Sequence, residues 1–518
     1  MNLYARFSAG FSARAQCAAL QDHARTYRYA DVERESARCA AFLAGLGAAP
    51  GDRAVVQIAP SSQALFVYLG ALRAGLICVP VANACSDEEL RNIIANAEPR
   101  VTVCRPNAPA AAGAPAYSLE SDGSGTLRDA VNALPSGTVF STVERADDEV
   151  ALILYTAGTT GTASTTGTTG TTGRAKGAML THGNLAANAA ALRDLWRISE
   201  DDVVLPALPL HYYFGLCAAI HPILLAGAAL SLQPSTGGDA LVGSLRKTTV
   251  LIGEPDFYER LLQQPVLGHA ACDGIRLCIS GAAPLHGDTW TAFHERTGKA
   301  ILECYGLPEA GIVTSAPVDG AINGAMNGEL PNRPGTVGLP LPGVKLRVVG
   351  ANLLHMPFDH EGEVLLKGPH VFKGYWRMPQ ETTDAFYPDG SFRTGDLGLL
   401  AEEGYITYSG HSSDQIQSGV FTIHPKEVEL VLHDLAGVME SAIIGVPHAE
   451  LGQIAIAVIV RDPATALTEA DVMEAIKARL KPFMLPGRVF FVDALPRNAM
   501  GRVKKDLLRE QHKTLNTA

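Results

Sequence analysis

The segment Tyr155-Thr-Ala-Gly-Thr-Thr-Gly-Thr-Ala-Ser-Thr-Thr-Gly-Thr-Thr-Gly-Thr-Thr-Gly-Arg-Ala-Lys-Gly177 gathers residue types that hold phosphate. Glycines such as Gly173 free the backbone to turn N–H groups toward an anion. The hydroxyls of Thr156, Thr159, Thr160, Thr171 and Thr172 add donors, and Lys176 adds a positive point charge. Together they suit a triphosphate. The segment is not a Walker loop, because no Gly-Lys pair precedes a Ser or Thr. By itself the Thr-Thr-Gly repeat reads as a low-complexity linker, so its meaning depends on the flanks.

A strand, a loop and a helix would position this cluster. Val150-Ala-Leu-Ile-Leu-Tyr155 reads as a buried strand, and the residues from Gly177 to Ala186 lead into a helix. Upstream, the pattern predicts helices over 29–40 and 63–74, with strands over 53–58, 77–80 and 100–104. The same rhythm returns over 203–233, 249–253 and 276–280, and the alternation indicates an α/β architecture with parallel strands. Residues 105–148, rich in Ala, Gly, Pro and Ser, read as surface chain, and 320–332 as an expanded loop. From Arg333 onward, short strands with turn signals over 343–349, 362–367 and 404–408 predict a small β-rich subdomain. Strands over 441–446 and 454–460 and a helix over 469–480 predict a separate α+β domain at the carboxy end.

Composition narrows the class. A chain of 518 residues exceeds one compact core, and 47% hydrophobic with 18% charged residues indicates a globular protein. Forty-two Lys plus Arg against fifty-three Asp plus Glu give a net charge of −11, which argues against a general nucleic-acid surface. The nine cysteines lack a C-x-x-C pair or a framework spacing, so neither a disulfide scaffold nor a zinc site is expected. The first ten residues carry no apolar run of signal-peptide length. The apolar stretch 216–232, interrupted by His221 and Pro222, predicts a buried helix rather than a membrane span. A cytoplasmic setting is expected.

Without the twelve residues Thr162 to Gly173, the first segment becomes Tyr-Thr-Ala-Gly-Thr-Thr-Gly-Arg-Ala-Lys-Gly-Ala-Met-Leu-Thr-His. This resembles the nucleotide loop of the AMP-forming acyl-CoA synthetase and adenylate-forming superfamily, expanded by Thr-Thr-Gly units. Thr159-Thr160-Gly161 and Thr171-Thr172-Gly173 compete for one role. Further motifs resembling the family's follow in order. Ile279-Ser-Gly-Ala-Ala-Pro-Leu285 is similar to the loop beside the adenine, which places Ala282 and Ala283 at the nucleotide and Ser280 near the acid. Glu303-Cys-Tyr-Gly-Leu-Pro-Glu309 is similar to the motif whose tyrosine packs on the purine and whose last glutamate holds Mg²⁺. The resemblance thus assigns Glu303, Tyr305 and Gly306 to nucleotide binding and Glu309 to the metal and to catalysis. Asp396 in Arg393-Thr-Gly-Asp396 would accept from the ribose hydroxyls. The stretch from Gly410 to Glu429 resembles the hinge of a mobile carboxy-terminal domain, and Pro496 to Lys505 resembles the loop that delivers a lysine to the adenylation site. The implied domains are 1–409 and 410–518.

The likeness is greatest to malonyl-CoA synthetases, in Gly368 to Pro379, Ile444 to His448 and Leu495 to Gly501. Several positions depart from it. Cys304 stands where that subgroup has an arginine able to pair a distal carboxylate, and Tyr212 stands where a histidine is usual. Pro308 replaces a threonine, His411 an arginine at the nucleotide, Arg502 the catalytic lysine, and Val420 a glycine of the thiol channel. The implied activity is conversion of a small carboxylic acid and ATP to an acyl-adenylate, then transfer to a pantetheine thiol, with ATP, Mg²⁺ and CoA as cofactors. Lys176, Glu309 and Arg502 would be catalytic, His411 would contact the nucleotide, and Tyr212, Ser280, Cys304 and Val420 would line the acid or thiol channel. A carrier protein in place of CoA, or a degenerate nucleotide-binding homologue with little activity, are the alternatives.

Overall fold

A computed structural model of the chain describes residues 1–22, 25–156, 176–232, 239–318, 333–350, 353–419, 421–448, 451–497 and 503–512. Four sheets organise them. In the first, seven strands include β1 (Val150–Thr156) and β2 (Lys176–Thr181), flanked by the strand Ile77–Ala82 on one side and Gly374–Tyr375 on the other. Ile77–Ala82 is buried along its whole length, as expected of a parallel strand covered on both faces. The helix Ser62–Arg73 crosses beside it, started by the Ser61 hydroxyl, which accepts from the Ala64 N–H.

The connection after the Thr/Gly segment differs from the sequence expectation. The chain does not pass directly from strand to helix: β1 and β2 pair antiparallel, Thr156 opposite Lys176. Only after β2 does α1 (His182–Leu195) begin, capped by a reciprocal pair in which Thr181 Oγ1 accepts from Asn184 N–H and Asn184 Oδ1 from Thr181 N–H. Pairing on both edges explains the preference: β2 lies between β1 and Gly374–Tyr375 and buries Gly177, Ala178, Leu180 and Thr181 among its neighbours.

The second sheet has nine strands. Its centre is the parallel set β3 (Val203–Ala207), β4 (Val250–Gly253), β5 (Leu277–Ser280) and β6 (Ile301–Leu307). The strand Gly311–Ser315 returns antiparallel to β6. The stretch 216–232 is not one buried helix. A π-helix over Phe214–Ile220 runs into the short helix His221–Ala226 and then the strand Ala229–Ser231. Gly227 at φ 73° ends the helix in the left-handed region that a glycine adopts cheaply. Residues 105–148 are likewise more ordered than expected, holding the strand Ala116–Ser118 and the helix Thr126–Asn132.

A third sheet of four antiparallel strands includes β7 (Phe392–Leu400) and β8 (Ile406–His411), matching the predicted β-rich subdomain. Beyond it, residues from Ile416 build their own cores around the paired strands Val438–His448 and Gly452–Arg461, with α2 (Pro425–His433) packed on one face.

Candidate active site

Glu309 sits at the tip of the β6 hairpin. The Ala310 N–H donates to the Leu307 carbonyl at 3.0 Å, so Pro308 occupies the second position of a turn, where its fixed φ fits and its missing N–H is not needed. That departure is accommodated locally. Gly306 is required by close approach of the returning strand, since a Cβ there would stand 2.2 Å from the Gly311 carbonyl oxygen. Glu309 is 7% exposed. The Tyr375 hydroxyl donates to Glu309 Oε1 at 3.0 Å, and Lys176 Nζ lies 5.1 Å from the centre of the same tyrosine ring. Burial raises the Glu309 carboxyl above the usual carboxylate range; the Tyr375 hydrogen bond and Lys176 oppose this, and the charge of Asp396 adds to it.

Asp396 and His411 face each other across β7 and β8. The Tyr305 hydroxyl donates to Asp396 Oδ2, and the Asp396 N–H donates to Thr394 Oγ1 at 2.9 Å. The Ser413 N–H donates to His411 Nδ1 at 3.2 Å, which leaves Nε2 to carry the proton. Tyr305 also lies beside Tyr408, ring centres 5.8 Å apart. The tertiary structure therefore groups Lys176 and Glu309 around Tyr375, and Tyr305 and His411 around Asp396, whose charge is felt at Glu309.

The loop after β5 carries Ala282 at φ 69°, a left-handed conformation that costs an alanine about 1–2 kcal/mol. Ala283 follows, and at Leu285 the backbone N–H points to Glu303 Oε2, 3.4 Å away. Glu303 is 6% exposed and burial pushes its carboxyl up to about 7.

A second cluster lies at the carboxy-terminal ends of β3 to β6, the edge at which open parallel sheets bind ligands. Gly253 pairs with Ala207 and Ser280, and Ser280 with Glu303, so the next residues, Glu254, Gly281 and Cys304, share the opposite face. A Cβ on Gly281 would meet Cys304 Sγ at 2.7 Å and Phe214 Cζ at 3.0 Å. Cys304 and Phe214 therefore close over Gly281 with apolar surface. Cys304 is buried, and burial pushes its thiol upward, so it is neutral. The Ser280 hydroxyl is buried and has no hydrogen-bond partner among the described residues.

Tyr212 is buried and its hydroxyl donates to Glu254. Burial, reinforced by Asp256, pushes the Glu254 carboxyl up to about 7. A carboxyl raised in the folded state keeps its proton longer than in the unfolded chain, so it subtracts stability as pH climbs from the ordinary range through about 7. Glu254→Gln stays neutral. Its thermal midpoint is expected to gain roughly 2–4 °C on the unaltered protein at pH 8 and nothing at pH 5, read by melting both proteins at both pH values. Equal shifts at the two pH values would remove the titrating role.

Thr159, Thr160, Thr171, Thr172, Gly173, Val420 and Arg502 lie outside the described residues, as do 320–332, and Thr156 is described by its backbone pairing alone. Tyr375 and Glu254 were not singled out by sequence. Tyr375 lies in a Gly-Tyr-Trp segment quoted only as a subgroup signature, and its place beside Glu309 depends on Gly374–Tyr375 pairing with β2. Among the described residues no helix is long and apolar enough to cross a membrane, and no three His, Cys, Asp or Glu gather as a metal cluster.

Glu309, at the hairpin tip of one sheet, and Lys176, at the start of a strand of another, thus lie on either side of Tyr375. Residues 9–163 and 167–376 match the family model for AMP-binding enzymes, and 427–502 match that for their carboxy-terminal domain. The chain belongs to the AMP-binding enzyme family. It is 40% identical to ATP-bound MatB from Rhodopseudomonas palustris, with a TM-score of 0.90 over 99% of each chain. It is 33% identical over 399 residues to the mitochondrial malonate–CoA ligase of Mus musculus, a match covering 70% of this chain and 65% of that one. It is 30% identical to a feruloyl-CoA synthase of Amycolatopsis, over 93% of both. The chain thus spans a little under two thirds of the length of the mouse relative.

Proposed function

We propose that the protein activates a small carboxylic acid with ATP and passes the acyl group to the thiol of CoA. What supports this reading is the pair of contact sets Lys176–Tyr375–Glu309 and Tyr305–Asp396, a cation and two carboxylates, with the charge of Asp396 felt at Glu309. The acid's carboxylate oxygen attacks the α-phosphorus and pyrophosphate leaves; the CoA sulfur then attacks the acyl carbon and AMP leaves. Lys176 and the Thr/Gly loop neutralise phosphate charge, Tyr305 and Asp396 hold the nucleoside with His411 nearby, and Arg502 balances charge during adenylation. Glu309 is a fit for Mg²⁺, a hard ion that takes one or two protein carboxylates and completes its shell with phosphate and water. In this reading residues 1–409 carry the adenylation site, 410–518 turn about the hinge at Gly410, Val420 borders the thiol channel, and the setting is cytoplasmic. Pyrophosphate exchange over mono- and dicarboxylic acids, with and without CoA, tests it. Exchange with no acid at all would overturn it, and exchange without CoA-dependent AMP release would point to a carrier protein as acceptor.

The acid pocket favours an apolar tail. A neutral Cys304 packed on Phe214 leaves a second carboxylate without a counter-charge, and an uncompensated buried charge costs about 3–5 kcal/mol. Malonate is expected to be used at least ~100-fold less efficiently than a short monocarboxylate, compared as kcat/KM. Efficient malonate turnover would require another cation in the pocket.

A further inference from the structure

Helix α2 begins with a lysine in an unfavourable place. Lys426 is the second residue of the helix, where a cation opposes the helix dipole, and it is half-buried. Its surroundings offset that placement. Lys426 Nζ donates to the Tyr408 carbonyl at 3.2 Å and lies 4.8 Å from the centre of the Tyr408 ring. The carboxylates facing it are Glu303, from β6, and Glu429, one helical turn further on. Glu429 is already held by Lys505, whose Nζ donates to it at 2.7 Å. Glu303 is therefore the partner across the seam.

Both groups that meet Lys426 across this seam belong to the nucleotide site. Tyr408 lies beside Tyr305, the residue that donates to Asp396, and Glu303 faces the backbone of the Ala282–Leu285 loop. Two further side-chain contacts reach across to the amino-terminal part at the ends of the helix. His424 Nδ1 is 3.3 Å from Glu361 Oε1 at one end, and the rings of His433 and His286 are 4.9 Å apart at the other. The first lies away from Tyr408 and Glu303, and the second meets the residue that follows Leu285. Lys426 joins the carboxy-terminal part to Tyr408 by a hydrogen bond and faces Glu303 as well.

We propose that Lys426 is a positioning residue that holds α2, and with it the carboxy-terminal part, against the nucleotide site while ATP is used. The proposal rests on the adenylating function argued above. Lys426 touches no reacting atom; it acts through Tyr408 on Tyr305 and through Glu303 on the adenine-side loop. Burial lowers the Lys426 ammonium below its usual range, and Glu303 and then Glu429 restore part of it.

Lys426→Met and Lys426→Arg in the full chain test this. Lys426→Met is expected to raise the KM for ATP in pyrophosphate exchange about tenfold while kcat changes less than about twofold, and Lys426→Arg to restore KM to within about twofold. CoA-dependent AMP release from supplied acyl-adenylate is expected to be unchanged in both variants. A purely structural lysine would instead lower thermal stability and slow both half-reactions together, and that outcome, or an unchanged KM for ATP in Lys426→Met, overturns the proposal. If the unaltered protein supports exchange with no acid, the proposed reaction fails while the positioning role is still decided by ATP titration: equal Kd for the unaltered protein and Lys426→Met overturns it, and weaker binding in the variant sustains it.

Discussion

Glu309→Gln is expected to reduce acid-dependent pyrophosphate exchange by about 10³-fold without loss of folding. The substitution keeps the shape of the side chain and an oxygen to accept from the Tyr375 hydroxyl, now 3.0 Å away, so the hairpin tip and its contact with the Gly374–Tyr375 strand survive. What disappears is the negative charge at a buried point that also feels Lys176. Burial raises the carboxyl, so in the folded protein its ionisation takes more free energy than in the unfolded chain, and that penalty grows as pH rises above the ordinary carboxylate range. Gln never ionises. Thermal melts at pH 8 should therefore place Glu309→Gln at or above the unaltered protein, while exchange is nearly abolished. A variant that retained exchange within about tenfold would remove Glu309 from the metal and phosphate role.

The second large effect is on nucleotide recognition. Asp396→Asn is expected to raise the KM for ATP roughly 100-fold, because a charged acceptor of two hydroxyl hydrogen bonds is worth about 1.5–3 kcal/mol per bond and a neutral amide far less. The backbone contact from Asp396 N–H to Thr394 Oγ1 is untouched by the change, and the amide oxygen can still accept from Tyr305. Comparing ATP with 2′,3′-dideoxy-ATP isolates the cause. The unaltered protein should prefer ATP strongly, and the preference should vanish in Asp396→Asn. If both proteins discriminated equally, Asp396 would be a structural partner of Tyr305 and the ribose contact would lie elsewhere.

The architecture was legible wherever burial runs along a whole element. The predicted strand over 53–58 is the observed Arg53–Ile58, and the helix predicted over 63–74 is Ser62–Arg73, because continuous apolar runs and a serine cap act locally. Legibility failed where an outcome depended on neighbours. Lys176–Thr181 becomes a strand only by pairing with β1 and with Gly374–Tyr375, and the apolar run from Leu216 breaks into a π-helix, a short helix and a strand once it packs against β3 and the strand Ala18–Asp22. Ala282 in a left-handed conformation carries no signature in an Ala-Ala pair.

The site divides in the same way. Residue types alone nominated Lys176, and the resemblance carried by short motifs in order along the chain nominated Glu303, Tyr305, Glu309, Asp396 and His411. Their partners are set by the fold alone. Glu309 and Tyr375 are 66 positions apart and Tyr305 and Asp396 are 91 apart, distances over which no sequence periodicity carries information. Cys304 and Phe214 close over Gly281, and Lys426 reaches Tyr408, only because separate strands and a helix from the far end of the chain converge there. Local sequence specifies which groups a segment offers. Which of them meet is decided by packing, since burial of apolar surface rewards any register that hides it and the tertiary structure selects the one in which these polar groups also find each other.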